Sequence, residues 1–224
     1  MTRDKDAEGI DLDIADAIEG HQRFRAQFAR DKAFFAGLAK GQTPKLLWIG
    51  CCDSRVVPSQ ITGADPGELF EIRNIANVVP PVSAGDDSVG AAIAYAIEHL
   101  AIDDIVVCGH TGCGGIKALA DMAQGVANSH PLDPHLSRWV DYTRPAHALV
   151  RAAGIPQAEQ LAATERAHVQ FQIDNLMTYP AVRLGVTAGT LGVHGWIYDM
   201  ATGDLLAYDP VTGTWPRLVD RVVD

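Results

Sequence analysis

Residues 45–55, KLLWIGCCDSR, set a short apolar run directly before a cluster of thiols and charges. Pro44 and Gly50 bound the run as they would a strand buried on both faces. The arrangement recurs at residues 105–115, where IVVC leads into GHTGCGG. Parallel neighbours in an open α/β sheet deliver their carboxyl ends to one edge, the usual ligand-binding edge of such folds. Cys51 and His110, far apart in sequence, can therefore meet.

Outward from these two segments, Leu69 to Arg73 reads as a further strand after the turn signal Asp65-Pro66-Gly67. Ser88 can cap a helix running through Ala91, Ile93, Ala94, Ile97 and Leu100. An element starting at Cys113 carries Ile116, Leu119 and Met122 at helical spacing, and further helices are predicted over 134–153 and 158–177. Strand character returns over 191–198 and 205–208. From Asp13 to Leu38, Ile14, Ala17, Ile18, Phe24, Phe28, Phe34 and Phe35 recur at helical spacing, broken by Gly20, which predicts two helices. The fold class is α/β: a mostly parallel central sheet flanked by helices, with an antiparallel edge from the last segments and an N-terminal helical arm.

With 224 residues and 47% hydrophobic content, the chain fits a single domain, 1–224, whose first 40 residues form the arm. The formal charge is -10, and Lys and Arg are scattered among acids, so there is no footprint for nucleic acid or anionic membrane. No eighteen apolar residues run together and no basic, apolar leader opens the chain, so a cytoplasmic protein is expected. Cys51, Cys52, Cys108 and Cys113 fall in two tight groups, which suits metal-bound thiolates in a reducing compartment better than a disulfide framework.

Zinc favours tetrahedral thiolate and imidazole ligands, and catalytic sites keep three protein ligands and one open position. Cys51, His110 and Cys113 supply such a set. His110-x-x-Cys113 lets two side chains face one ion from a single turn, and Gly112, Gly114 and Gly115 let the backbone crowd it. Two thiolates already cancel the ion's charge, so its pull on water needs help. Asp53 can orient the water or take its proton, and Arg55 can hold Asp53 ionised. Asp53 could instead close the site as fourth ligand.

At these residues the chain resembles the β-class carbonic anhydrases, whose signatures are Cys-x-Asp-x-Arg followed by His-x-x-Cys. The likeness extends through Pro66 to Phe70, Arg73 to Asn77 and His194 to Tyr198. It implies Cys51, His110 and Cys113 as zinc ligands and Asp53 with Arg55 as the catalytic dyad. Gln42, Tyr95 and Gly114 match substrate-binding positions, Gln42 and Tyr95 at a subunit interface. The implied partners are CO2 and bicarbonate, and the implied assembly is a homodimer or a dimer of dimers clasped by the arm. The implied reaction is reversible CO2 hydration to bicarbonate and a proton. Trp48, Arg73 and Tyr198 match a second, noncatalytic bicarbonate pocket found in some bacterial members, tied to a state in which Asp53 ligates zinc at low pH. Cys52 departs from the small residue usual there and leaves open which thiol binds, although the spacing to Asp53 and Arg55 favours Cys51.

Each feature also has a plainer reading. His-x-x-Cys alone occurs by chance, and Asp53 with Arg55 alone would be only a structural salt bridge. Cys108, inside an apolar strand, reads as a small hydrophobe. His21, His99, His130, His135, His147, His168 and His194 read as surface or packed residues, one of which could shuttle protons. GHTGCGGIK lacks the ending of a phosphate loop, and no dinucleotide fingerprint supports a zinc dehydrogenase. The remaining rivals are hydrolysis of carbonyl sulfide or carbon disulfide on the same scaffold, and a structural zinc site closed by Asp53.

Overall fold

The structure, a computed structural model, describes residues 12–123 and 133–220; His130 lies outside them. The chain forms two compact units, 1–42 and 43–224. In the first, α1 (Ile14–Arg30) begins with a capping box in which the Asp13 side chain accepts from Asp16 N at 2.7 Å. Gly20 does not interrupt it: the break falls at Asp31, after which α2 (Lys32–Leu38) follows. One glycine in an otherwise good helix costs too little to end it. Phe24, Phe28 and Phe34 surround Phe35, whose ring stacks on Phe28 at 4.3 Å, while Ile14 and Ile18 stay exposed.

The second unit is built on a five-stranded sheet in the order β2-β1-β3-β4-β5. Strands β1 (Leu46–Cys51), β2 (Leu69–Asn74), β3 (Asp104–His110) and β4 (Gly192–Tyr198) are parallel, and β5 (Leu205–Ala207) is the antiparallel edge. The central strands read as continuous apolar runs because both faces are covered: Leu47, Ile49, Ile105 and Val107 enter the main core, and Trp48, Val106 and Cys108 a second one.

The helices are α3 (Pro58–Thr62), α4 (Asp87–Glu98), α5 (Gly114–Ala123), α6 (Pro134–Val140), α7 (Arg144–Ala152), α8 (Gln157–Leu176) and α9 (Pro180–Ala188). Several depart from expectation. Asp86 rather than Ser88 caps α4, accepting from Val89 N at 2.8 Å. The single helix expected over 134–153 is two, because Pro145 disfavours a continuous helix through Arg144 and a 3-10 turn at Asp141–Thr143 intervenes. α3 and α9 are too short to carry a periodic signal, and each opens with the proline that reads in sequence as a breaker.

Helix α8 lies against β3 and β4 because two glycines leave room for it. A Cβ on Gly109 would come 2.8 Å from Val169 Cγ2, and one on Gly195 would come 2.8 Å from Ile173 Cδ1. Along α8, Glu165, His168, Gln172 and Asn175 recur at helical spacing on one side and are all buried. That polar stripe is turned toward the strand ends, where buried backbone needs partners.

Candidate metal centre

Cys51 ends β1, His110 ends the adjacent β3, and Cys113 immediately precedes α5. The register of β1 against β3, with Gly50 paired to Cys108, brings the two strand ends level. One donor atom from each of Cys51, His110 and Cys113 lies within 4.8 Å of the others, and all three side chains are buried. Cys52 is exposed instead, so Cys51 is the thiol of this group.

The electrostatics fit a cation. His110 Nδ1 meets the Thr111 carbonyl at 3.1 Å; an oxygen that can only accept puts the proton on Nδ1 and leaves Nε2 with a free lone pair. Nε2 is buried and has no hydrogen-bond partner among the described residues, which is costly unless a metal takes the lone pair. The two thiols are pushed in opposite directions. Cys51 is pushed toward the thiolate because Cys113 donates to it, against the opposing effect of burial. Cys113, which keeps that proton and is desolvated, is pushed up. A dication displacing the proton would stabilise both thiolates at once. This is the chemistry of a zinc site with three protein ligands.

Arg55 grips Asp53 with both arms of its guanidinium, Nε to Oδ1 at 2.9 Å and Nη2 to Oδ2 at 2.7 Å, and its backbone N–H adds a third bond. These bonds hold the Asp53 carboxyl far below the usual carboxylate range. Asp53 Oδ2 stands 3.9 Å from His110 Nε2, beside the three-residue group rather than within it.

The loop is fixed by Arg73, whose guanidinium donates to the carbonyls of Cys51, Asp53 and Val56 at 2.6–3.2 Å. Glu165 belongs to no motif in the sequence, yet its carboxylate accepts the Cys113 N–H at 2.9 Å from within the core. Burial raises its pKa while that bond favours the ionised form. The signal that could have found it is the spacing of Glu165, His168, Gln172 and Asn175.

The remaining predicted residues spread out. Gln42 closes the N-terminal unit. Tyr95 is half-exposed on α4 between Phe70 and His99. Gly114 opens α5, with nothing among the described residues within 4 Å of where a Cβ would stand. Trp48 and Tyr198 share one apolar cluster, whereas Arg73 is committed to the 51–56 carbonyls. Cys108 is a buried hydrophobe whose thiol burial pushes far up. A cavity of about 760 Å³ is lined by Cys52, Asn74, Ile75, His135, Trp139 and Tyr142, among others. No helix among the described residues is long and apolar enough to cross a membrane.

Comparison with known proteins agrees with this geometry. The sequence pattern of the family described as carbonic anhydrase matches residues 46–205. A Pseudomonas aeruginosa carbonic anhydrase is 39% identical over 212 residues, covering 93% of each chain. The β-carbonic anhydrase CcaA superposes with a TM-score of 0.84 at 35% identity, covering 92% of both chains. One of two tetrameric β-carbonic anhydrases from Sordaria macrospora gives 0.74 at 31% identity, covering 85% of this chain and 94% of the other.

Proposed function

Because the chain belongs to the β-class carbonic anhydrases, which are zinc enzymes, we propose that it hydrates CO2 reversibly to bicarbonate and a proton with Cys51, His110 and Cys113 as its zinc ligands. The observation that carries this reading is the buried His110 Nε2, without a hydrogen-bond partner among the described residues, grouped with the two buried thiols of Cys51 and Cys113. Bound zinc supplies the Lewis acidity that makes a nucleophile of water near neutral pH.

The chain's own residues supply orientation. Asp53, held ionised by Arg55, is acceptor-only, so it aligns an O–H beside His110. A carboxylate held so far below its ordinary range is a poor proton store, which makes Asp53 an orienting acceptor rather than the base that carries the proton away. Arg73 and Glu165 hold the two loops that present Cys51 and Cys113. The pairing of Asp53 with Arg55 also favours a catalytic over a permanently closed structural site. Gln42, Tyr95 and Gly114 are assigned to the substrate side by resemblance.

The second bicarbonate pocket is proposed at Trp48, Arg73 and Tyr198. Trp48 Nε1 is buried without a hydrogen-bond partner among the described residues, a donor that such an anion would satisfy. Arg73 would have to leave the 51–56 carbonyls to join it, which would loosen the Asp53 loop. The assembly is a homodimer or dimer of dimers, supported by the exposed Ile14, Ile18, Phe24, Phe28 and Phe34 of the arm and by likeness to a tetrameric relative. A reducing cytoplasm suits four unpaired cysteines.

The test is stopped-flow CO2 hydration with a pH indicator, run alongside zinc analysis and a Cys51→Ser control. Fast hydration that the control lacks supports the reading. Stoichiometric zinc without hydration, together with hydrogen sulfide release from carbonyl sulfide or carbon disulfide, would replace it with the hydrolase.

A further inference from the structure

Ala76 and Asn77 adopt φ of 60° and 46°, a left-handed conformation that residues with a Cβ resist. Such backbone persists only where its surroundings over-determine it. Ala76 is fully buried against Cys51 and Cys113, and a Cβ on Gly115 would come within 3.0 Å of the Ala76 Cβ. The Asn74 side chain clamps the turn from one side, exchanging two bonds with Val78. The other side is held by α8. The Ala76 backbone N–H is the weakest of the influences that favour the Cys51 thiolate.

The bonds from α8 form a chain in which every donor is forced. Val79 N–H donates to Gln172 Oε1 at 2.7 Å, so the other end of that amide is its NH2. Gln172 Nε2 lies 3.3 Å from His168 Nδ1, and His168 Nε2 lies 2.8 Å from the Ala76 carbonyl. That carbonyl can only accept, so Nε2 carries the proton and Nδ1 accepts from Gln172. Burial keeps the imidazole neutral, as the chain requires.

We propose that His168 is a positioning residue for the metal centre: held by Gln172, it fixes Ala76 through its carbonyl in the left-handed conformation that packs against Cys51, so that the Ala76 N–H on the preceding peptide can donate to the Cys51 sulfur and set how that thiolate donates to zinc. The inference rests on Cys51 being a zinc ligand. Hydrogen bonds from outside the ligand set orient ligands and tune their donation, and losing one typically costs ten- to a hundredfold in metal affinity.

The test compares wild type, His168→Leu and His168→Gln by chelator competition for zinc and by the thiolate-to-cobalt charge-transfer band of the Co(II)-substituted protein. His168→Leu should bind zinc about tenfold more weakly, with the band moved to longer wavelength because a thiolate short of a hydrogen bond is easier to oxidise. His168→Gln, whose amide can donate to the Ala76 carbonyl, should restore both. If His168→Leu fails to fold, Gln172→Leu, which frees Nδ1, is read the same way.

Wild-type affinity and band position in the leucine variant would overturn the proposal, as would equal losses in both His168 variants that track their melting temperatures. If instead Cys51→Ser leaves zinc binding unchanged, it is the ligand assignment beneath the proposal that has failed.

Discussion

Replacing His168 by Gln should flatten part of the acid dependence of stability. The imidazole is completely buried, and burial pushes its pKa down from 6.5 to about 4. The unfolded chain therefore takes up a proton as pH falls through about 6.5, whereas the folded chain resists until about 4. Wherever the unfolded state binds more protons, stability falls as pH is lowered. The contribution is intact above about pH 7 and is lost between about 6.5 and 4. Its full size is roughly 2.5 units at 1.36 kcal/mol each, or about 3.4 kcal/mol, of which about 2.5 kcal/mol is gone by pH 4.5.

Urea unfolding of wild type and His168→Gln from pH 8 to pH 4.5 measures this, once with excess zinc and once with chelator. Asp53 and the metal ligands titrate in both proteins, so the difference between the two pH profiles isolates His168. The variant should lose about 2.5 kcal/mol less than wild type over that range. Parallel profiles would refute the account, since they would mean that the imidazole already reaches solvent when folded.

Gly109→Ala sets a Cβ 2.8 Å from Val169 Cγ2 and 2.9 Å from Ile197 Cδ1. Overpacking of this kind costs about 1–3 kcal/mol, read as a melting temperature lower by roughly 2–12 °C for a chain of this size, and unaltered melting would mean that α8 does not press on β3 as described. Arg55→Met should lower kcat/KM for hydration by about a hundredfold or more with zinc content unchanged, because Asp53 loses both side-chain bonds that aim it; full activity would remove the pair from the mechanism. Glu165→Leu strands the buried Cys113 N–H at about 1–3 kcal/mol and should weaken zinc binding about tenfold in a chelator titration. Cys52→Ser should keep one zinc per chain by metal analysis; loss of that zinc would reassign the thiol ligand.

The sequence by itself determined the strands and their order, most of the longer helices, the parallel sheet and the three side chains that could hold a metal. These depend on local signals: apolar runs long enough for a buried strand, glycines at the strand ends, and thiols and imidazole at spacings a metal demands. Where two local signals competed, the structure decided between them: Gly20 stayed helical, Pro145 split a helix, and Asp86 rather than Ser88 became the cap. The site shows the same division. Cys51, Asp53 and Arg55 lie within five residues, so their association was legible, and yet the choice between Cys51 and Cys52 needed the direction each side chain takes at the end of β1. Glu165, His168 and Gln172 carry no motif. Their roles arise because Gly109 and Gly195 admit α8 against the sheet, where a polar stripe on one side of that helix meets the unpaired backbone of Ala76, Val79 and Cys113. A hydrogen bond across some ninety residues of chain depends on where two elements come to rest, which no local pattern encodes.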